Sequence, residues 1–310
     1  MAVPAANAFD PLAAASRVAG WLINPRGSVS DRALRATVEG KVVLVTGASH
    51  GIGEATARRL GRAGAIVLLV ARSEERLGDL QAWIGEQGAT AYVYPADLAD
   101  PPSVEALTVA VLERHGHVDV LVNNAGKSIR RSVELSYERF HDYERTIDIN
   151  YLGPVRLLLG LLPSMRERGE GHVVNVSTIG VRVPPGPRWG AYQASKTAFD
   201  VFLRSAALEA RSDRVSMTSI YMALVHTRMS APTPIFRYIP GLTSDQAGDV
   251  VCRAIVDRPS VISPWWAGAL ELGTAVTRRP WELGGALYAR LSGDTRSAVA
   301  KSDREERVAP

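Results

Sequence analysis

Residues 42–53, VVLVTGASHGIG, place three glycines directly after an unbroken apolar run. Such a run is typical of a strand buried on both faces, and the EATARRLGRAGA that follows carries a helical pattern. At this junction Gly47 allows a sharp turn, Gly51 lets the backbone approach a pyrophosphate, and Gly53 lets the helix lie close to the strand. The first N–H groups of the helix then face the phosphates. We therefore predict a dinucleotide site, although the spacing G-x-x-x-G-x-G differs from the common G-x-G-x-x-G.

From residue 41 onward, short β-branched runs alternate with longer helical patterns. This alternation predicts an α/β fold: a single doubly wound parallel sheet of the Rossmann type with helices on both faces. The predicted strands are Val42–Val45, Ile66–Val70, Ala91–Tyr94, Val118–Val122, Val173–Val176 and Met217–Tyr221. The predicted helices lie near 52–63, 74–87, 102–115, 136–168 and 190–211.

The domain is assigned to residues 40–263, between an N-terminal extension, 1–39, and a C-terminal extension, 264–310. Each extension can pack on the domain, form an oligomer contact or lie on a membrane surface, and packing is the simplest interpretation. The last ten residues or so are predicted to be disordered because they are short of apolar side chains.

The composition of the 310-residue chain is ordinary for a soluble globular protein, with 46% hydrophobic residues, 22% charged residues and a formal net charge of +4. No Lys/Arg-rich block indicates nucleic-acid binding. A single cysteine, Cys252, excludes an intramolecular disulfide and a cysteine-rich zinc site, and no metal is expected. The chain lacks a secretory signal pattern and any apolar run near the roughly 18 residues that span a bilayer. We expect a cytoplasmic protein, with peripheral membrane contact as the alternative.

The end of the second predicted strand, LLVARSEERL, bears on the choice of cofactor. A carboxylate there would bind the adenosine ribose 2′-hydroxyl of NAD(H), but the chain has Arg72 followed by Ser73. A guanidinium is suited to a phosphate, the serine adds a hydroxyl, and His50 of the glycine turn can help on the same side. These residues favour NADP(H), against the plainer interpretation of a solvated arginine.

Tyr192 and Lys196 in AYQASK are four residues apart, so a helix places both side chains on one face. A lysine ammonium beside a phenol lowers the tyrosine pKa toward neutrality, as general acid–base catalysis at neutral pH requires. Such pairs also occur often by chance. The position of this pair, one βα unit after GHVVNVST (171–178), favours catalysis.

The chain contains, in order, five motifs that resemble the short-chain dehydrogenase/reductase family: TGASHGIG (46–53), DVLVNNAG (119–126), DINYLG (148–153), VVNVST (173–178) and YQASK (192–196). The resemblance covers roughly residues 40–263. It implies Tyr192 as proton donor and acceptor, Lys196 as its activator and nicotinamide-ribose contact, and Asn150 as the anchor of a proton-relay water. The implied cofactor contacts are Gly47, Ser49, His50, Gly51, Ile52, Gly53, Arg72, Ser73, Asp97, Leu98, Asn124, Ala125, Gly126, Tyr192, Lys196, Val225 and Thr227.

Two positions depart from the family pattern. The serine that polarises the substrate carbonyl is usually the second of a Ser-Ser pair, so Thr178 matches it here. Because the segment from Thr178 to Tyr192 is one residue longer than usual, Ser177 is the alternative. The Pro-Gly that usually follows the sixth strand is replaced by Met222-Ala223, which leaves the form of the local turn open.

Segments 123–153, 218–243 and 254–259 resemble the single-domain bacterial fatty acyl-CoA reductases within this family. Under this resemblance Arg130, Arg131 and Arg145 can meet CoA phosphates, or they can simply decorate a helix face. The residues that can line an apolar lid for an acyl chain are Met222, Met229, Pro232, Ile235, Phe236 and Tyr238, and the alternative for them is packing in the core or a dimer contact.

Together these features predict an NADP(H)-dependent oxidoreductase that transfers a hydride to a lipophilic carbonyl, reducing a long-chain fatty acyl-CoA to the aldehyde. One alternative is a carbonyl reductase or alcohol dehydrogenase for lipophilic ketones, steroids or fatty aldehydes. Another is a dinucleotide-binding protein without catalysis, against which the Tyr192, Lys196 and Asn150 set argues. A homo-oligomer is expected, with helices 136–168 and 190–211 as its interface.

Overall fold

The computed structural model of the chain describes residues 20, 23–295, 298 and 299. Its centre is a seven-stranded parallel sheet in the order β3-β2-β1-β4-β5-β6-β7. The strands are β1 Val42–Thr46, β2 Ile66–Ala71, β3 Ala91–Pro95, β4 Val120–Asn123, β5 Gly171–Thr178, β6 Val215–Met222 and β7 Val261–Ile262. The strand order reverses between β1 and β4, and a doubly wound sheet binds its ligand at such a switch point.

Helices cover both faces of the sheet, as the alternating pattern predicts. They are α1 Asp31–Val38, α2 Gly51–Arg62, α3 Glu74–Glu86, α4 Pro101–His115, α5 His141–Ile147, α6 Gly153–Arg168, α7 Gly190–Glu209, α8 Ser244–Asp257, α9 Ala267–Val276 and α10 Arg278–Leu291. One core packs α1, α2, α3 and α8 against the sheet, and the other packs α4, α6 and α7 against its opposite face. Because neighbouring side chains of a strand point to opposite faces, Val43 joins the first core and Leu44 the second.

The prediction of one helix near 136–168 is wrong. A short 3₁₀ turn, Glu134–Ser136, comes first, and α5 is joined to α6 by a π turn, Asp148–Leu152. Close packing accompanies this irregularity, because a Cβ on Gly153 would lie 1.9 Å from the Leu98 carbonyl oxygen. Single π turns inside α-helices are frequent at functional sites.

Both predicted extensions contain described residues that pack on the domain. Leu34 and Val38 of α1 lie in the core, and Ser30 caps the helix by accepting a hydrogen bond from the Ala33 N–H. At the other end Arg188 donates to the hydroxyl of Ser292 at 2.7 Å. The boundaries at residues 39 and 263 stay predictions, and the predicted disorder of the last ten residues falls on 301–310, outside the described residues. Among the described helices, none is both long enough and apolar enough to cross a bilayer.

Candidate active site

The glycine turn joins β1 to α2 as a close-packed unit. Gly47 and Gly51 adopt φ angles of +68° and +59°, in the left-handed region that favours glycine. A Cβ on Gly53 would lie 2.3 Å from the Gly47 carbonyl oxygen, so only glycine allows the helix this approach. His50 precedes α2 but makes no side-chain capping bond, so it leaves the first N–H groups of the helix for a ligand.

Residues after β4 hold this turn in place. The hydroxyl of Thr46 accepts hydrogen bonds from the N–H groups of Asn124 and Ala125, at 2.9 and 3.0 Å. The Asn124 amide donates back to the Thr46 carbonyl at 2.9 Å. The NNAG motif therefore fixes the glycine turn against the middle of the sheet.

The predicted determinants of the 2′-phosphate lie together beyond β2 and β3. Arg72 is 75% exposed, and its Nη1 lies 3.7 Å from an oxygen of Asp97. His50 contacts Arg228, with its Nε2 2.6 Å from a guanidinium nitrogen. Burial, followed by the charges of Arg76 and Arg228, lowers the pKa of His50. His50 is therefore a neutral neighbour of a cationic cluster, and this cluster is suited to an anion.

Tyr192 and Lys196 face the cavity from the first half of α7, and Asn150 approaches from the π turn. The Asn150 amide donates to the Lys127 carbonyl at 2.8 Å and to the Ser195 hydroxyl at 2.9 Å, and its oxygen accepts from the Lys127 N–H at 2.9 Å. A Cβ on Gly126 would lie within 3.3 Å of both Asn150 Oδ1 and Lys196 Nζ. The structure thus brings together three predicted catalytic side chains from distant parts of the sequence.

The pKa values in this cluster differ from the expectation for Tyr192. Burial raises the pKa of Tyr192 to about 12, and a hydrogen bond with Thr178 opposes that rise. Burial also lowers the pKa of Lys196 to about 8, and its amine donates to the Val176 carbonyl at 3.3 Å. The predicted lowering of the tyrosine pKa toward neutrality is therefore not seen for the protein alone, since the cost of burying a phenolate prevails.

Thr178 and Ser177 differ in their hydrogen bonds. The Thr178 hydroxyl interacts with the Tyr192 phenol and accepts from the Gly180 N–H at 3.2 Å. Ser177 is 5% exposed, and its hydroxyl has no hydrogen-bond partner among the described residues. Geometry therefore favours Thr178 as the group that acts with Tyr192.

One cavity of about 740 Å³ connects these groups. All the predicted cofactor contacts line it except Gly53, which instead supports the turn from behind. Three of the predicted lid residues, Met222, Met229 and Phe236, also line the cavity. The other three do not, and Ile235 and Tyr238 are exposed. The lining also includes apolar side chains that the sequence patterns did not single out, among them Ile23, Trp189, Ile239 and Trp266.

The model of the short chain dehydrogenase family matches residues 41–235. The chain belongs to the short-chain dehydrogenase family. It is therefore an oxidoreductase, and the roles of Tyr192, Lys196 and the glycine turn stay predictions.

Known proteins with similar sequences or structures support the family assignment. A fatty acyl-CoA reductase of Acinetobacter baylyi is 48% identical over 229 residues, covering 74% of this chain and 77% of that protein. A fatty acyl-CoA reductase of Mycobacterium tuberculosis is 42% identical over 232 residues, covering 75% and 79%. A crystal structure of a metagenomic short-chain oxidoreductase in complex with NADP is 32% identical, with a TM-score of 0.61, covering 71% of this chain and 92% of that one.

The arginines predicted to meet CoA phosphates instead contact other parts of the chain. Arg131 is buried, with its Nε 3.1 Å from the buried carboxylate of Asp142, and Arg145 pairs with the same carboxylate at 3.2 Å. Arg130 donates to the Gly293 carbonyl at 3.2 Å. These contacts fit neither CoA binding nor the alternative of arginines that simply decorate a helix face, since the side chains bind α5 and the C-terminal extension.

The turn that replaces the family Pro-Gly is ordered by a residue that sequence patterns missed. Both N–H groups of Ala223 and Leu224 donate to the side-chain oxygen of Asn24, each at 3.0 Å. Val225 and Thr227 follow, and both line the cavity as predicted. No motif marks Asn24, because its partners lie about 200 residues away in the sequence.

Proposed function

We propose that this family member is an NADP(H)-dependent reductase of long-chain fatty acyl-CoA thioesters that produces the aldehyde. The observation that carries the proposal is the cavity in which Tyr192, Thr178 and Lys196 meet the glycine turn at one end and an apolar lid at the other. The two fatty acyl-CoA reductases among its relatives support the substrate class.

The cofactor site fits NADP(H). The pyrophosphate would lie at the start of α2, where N–H groups and the helix dipole face a cavity that no capping side chain fills. The 2′-phosphate would lie between Arg72 and Ser73, with His50 beside it. The Arg72 guanidinium attracts a phosphate, whereas a carboxylate at this position would repel it. When bound, the reduced nicotinamide supplies a hydride to the carbonyl carbon of the substrate.

Thr178 and Tyr192 act on the carbonyl oxygen. Two hydroxyl groups that line the same part of the cavity can both donate to an oxygen bound beside them, and this stabilises the charge that develops there. The raised pKa keeps the Tyr192 phenol protonated at neutral pH, so the protein starts with a proton to give. Reduction of a carbonyl requires this starting state.

Lys196 and Asn150 would return a proton to Tyr192. The Lys196 amine, with a pKa near 8, exchanges protons readily near neutral pH. Asn150 binds the Lys127 carbonyl and lies against Gly126 beside the Lys196 amine. A water held at this carbonyl would connect the lysine to solvent, as in the relay that the family resemblance implies.

An apolar channel would hold the acyl chain. Trp189 stacks on Phe236 with ring centroids 6.0 Å apart, and it also contacts Tyr192 at 6.0 Å. Met222 and Met229 add flexible side chains that adapt to a long hydrocarbon. In a thioester, the tetrahedral adduct expels the CoA thiolate and leaves an aldehyde.

The alternative is a carbonyl reductase or alcohol dehydrogenase for lipophilic ketones, steroids or fatty aldehydes. The same hydroxyl pair and the same apolar cavity serve that reaction, except that the adduct is protonated to an alcohol and nothing leaves. Both reactions use the same catalytic residues, so these residues do not identify the substrate. The released product has to distinguish the two reactions.

The experiment follows NADPH absorbance at 340 nm in parallel with free thiol. Long-chain acyl-CoA, the matching fatty aldehyde and a lipophilic ketone are supplied separately to the purified protein. We expect NADPH loss with acyl-CoA and one free CoA for each NADPH consumed. NADPH loss with the aldehyde or ketone alone would instead support the alternative.

We also propose a homo-oligomer that uses the outer faces of α6 and α7. Leu159 of α6 and both Val201 and Leu208 of α7 are exposed apolar side chains, which an interface at these helices would bury. Light scattering should give a dimer or tetramer, and Leu208→Glu should shift it toward the monomer. A wild-type monomer would contradict this proposal.

We also propose that the protein is cytoplasmic and makes peripheral contact with a membrane. None of the α10 side chains is buried; Trp281, Leu287 and Leu291 are exposed apolar residues of this helix, which also carries the basic residues Arg278, Arg279 and Arg290. Such a helix is suited to the surface of an anionic bilayer. Flotation with phosphatidylserine vesicles, but not with phosphatidylcholine vesicles, is expected, and Leu287→Glu should abolish it; no flotation of the wild type would contradict the proposal.

A further inference from the structure

The loop after β6, residues 225–242, closes on itself at its base. Val225 forms a parallel bridge with Leu242, and the Leu242 N–H donates to the Leu224 carbonyl at 2.9 Å. Between these ends, Met229, Phe236 and Ile239 line the cavity. We call residues 225–242 the lid loop, because their side chains form one wall of the cavity.

Asn24 holds the base of the lid loop from the far end of the sequence. Its side-chain oxygen accepts the N–H groups of Ala223 and Leu224, and its amide nitrogen donates to the Gly20 carbonyl at 3.0 Å. Asn24 is only 2% exposed, so water does not replace these bonds if they are lost. A buried side chain that satisfies two backbone donors at once constrains the backbone that carries them.

Two neighbours of Asn24 strengthen this attachment. Gly20 packs on the other end of the lid loop, since a Cβ there would lie 2.6 Å from the Gly241 carbonyl oxygen. The Ile23 carbonyl accepts a hydrogen bond from the Trp266 indole at 2.9 Å, and both residues line the cavity. The lid loop is thus held at both of its ends.

The sequence at the end of β6 explains why such support is needed. This chain has Met222-Ala223 where the resemblance to the family implies Pro-Gly, and a proline ring would fix the backbone there by itself. Methionine removes that restraint but supplies an apolar side chain to the cavity. Asn24 restores the restraint from outside the turn.

We propose that Gly20, Ile23 and Asn24 form a clasp that positions the lid loop and thereby sets the fit of the substrate's hydrocarbon chain. Asn24 is a positioning residue, because it acts through Ala223 and Leu224. The effect of the clasp on an acyl chain rests on the proposed function. The attachment of the lid loop by the clasp does not.

Hydrogen–deuterium exchange tests the clasp without any substrate. Asn24→Ala should speed exchange at residues 223–224 and in the lid loop by about tenfold or more, since two buried donors lose their acceptor, while β5 stays protected. Ser30→Ala is the matched control, because it removes the cap of α1 and touches no lid residue. Unchanged protection of 223–224 in Asn24→Ala would overturn the clasp.

Kinetics test its effect on the substrate. In Asn24→Ala we expect KM for long-chain acyl-CoA to rise about tenfold, with a much smaller rise for short-chain acyl-CoA and kcat within about threefold of wild type. Asn24→Asp keeps an acceptor for Ala223 and Leu224 but places an oxygen against the Gly20 carbonyl, so it should recover only part of the long-chain KM. An equal loss of kcat at every chain length, without a change in the KM ratio, would show mere destabilisation and overturn the proposal.

The two proposals fail in different ways. If the wild-type protein reduces no acyl-CoA, the proposed function fails and the exchange experiment still decides the clasp. If acyl-CoA is reduced and Asn24→Ala behaves as wild type in both experiments, the clasp fails and the function stands.

Discussion

Thr178 at the end of β5 and Tyr192 at the start of α7 line the same cavity, and the interaction with Thr178 opposes the rise in the pKa of the Tyr192 phenol. The two hydroxyl groups therefore offer two donors at one part of the cavity wall. A carbonyl oxygen at that point would accept from both. Ser177, the neighbouring hydroxyl, has no hydrogen-bond partner among the described residues.

Substitution of the two hydroxyl residues should therefore give unequal results. Thr178→Ala is expected to lower kcat by about 10²-fold or more, the usual cost of losing one donor to a developing oxyanion. Thr178→Ser keeps the hydroxyl and should stay within about tenfold of wild type, and Ser177→Ala should have little effect. Steady-state kinetics of the three variants decide the assignment. A severe defect in Ser177→Ala with a mild one in Thr178→Ala would reverse it.

Arg72→Ala should change the cofactor preference. Loss of a guanidinium from a phosphate removes charge-assisted bonds, so the Kd for NADPH should rise roughly 10- to 100-fold while the Kd for NADH stays nearly constant. Alanine is preferable to aspartate, because a new carboxylate would lie beside Asp97. Arg211→Ala, in the 3₁₀ turn before β6 and outside the cavity lining, is the control. Equal changes for both cofactors would mean that Arg72 does not bind the 2′-phosphate.

Stability should rise with pH where Lys196 titrates. Burial lowers the pKa of Lys196 from 10.5 to about 8, so between pH 8 and 10 the unfolded chain binds a proton that the folded chain releases. Denaturant unfolding of wild type and Lys196→Met at pH 7.5 and 9.5 measures this term. The wild type should gain on the order of 2 kcal/mol relative to the variant over that interval. Parallel changes in the two proteins would contradict a lysine with a lowered pKa.

Asp142 should be the most sensitive carboxylate in the fold. Burial opposes its charge, but the hydrogen bond and charge of Arg139, with the charges of Arg131 and Arg145, outweigh burial and hold the pKa of Asp142 below its usual range. Asp142→Asn leaves buried guanidinium groups without a counter-ion and should cost about 3–5 kcal/mol of the free energy of unfolding.

The matched control for that substitution is Asp213→Asn, which breaks a more exposed pair with Arg166 and should cost about 1 kcal/mol or less. Because the folded pKa of Asp142 is lowered, its contribution is present above pH 4 or so and is lost as the pH falls through the folded value. The gap between wild type and Asp142→Asn should therefore shrink in acid. Similar losses in the free energy of unfolding for Asp142→Asn and Asp213→Asn would show that the buried cluster stabilises the fold no more than an exposed ion pair does.

The sheet and the cofactor turn could be predicted because local signals specify them. Short apolar or β-branched runs mark the six predicted strands, although the two-residue β7 was not predicted, and the glycines mark a turn whose backbone angles exclude most other residues. The break between α5 and α6 could not be predicted in this way. DINYL carries no helix breaker, and the π turn accompanies contacts such as that between Gly153 and Leu98, which join distant parts of the sequence.

In the candidate site, too, local motifs predict some residues, and others depend on contacts between distant parts of the sequence. Ordered motifs predict the residues that line the cavity, but which of Ser177 and Thr178 pairs with Tyr192 depends on how β5 meets α7. Asn24 and Trp266 were missed because neither belongs to a motif, and each acts through a contact with a remote part of the chain. Burial, which a sequence does not display, raises the pKa of Tyr192, so the lowering expected from the nearby lysine is not seen.

The most direct measurement is the single-turnover reduction of substrate by Tyr192→Phe, with NADPH binding measured on the same protein. Loss of the phenolic proton donor should slow hydride transfer by about 10²–10⁴-fold and leave the Kd for NADPH within about threefold of wild type. Tyr137→Phe, an exposed tyrosine outside the cavity, should react as wild type does. Tyr192→Phe with an undiminished rate would contradict the assignment of this cavity as a catalytic site built around Tyr192.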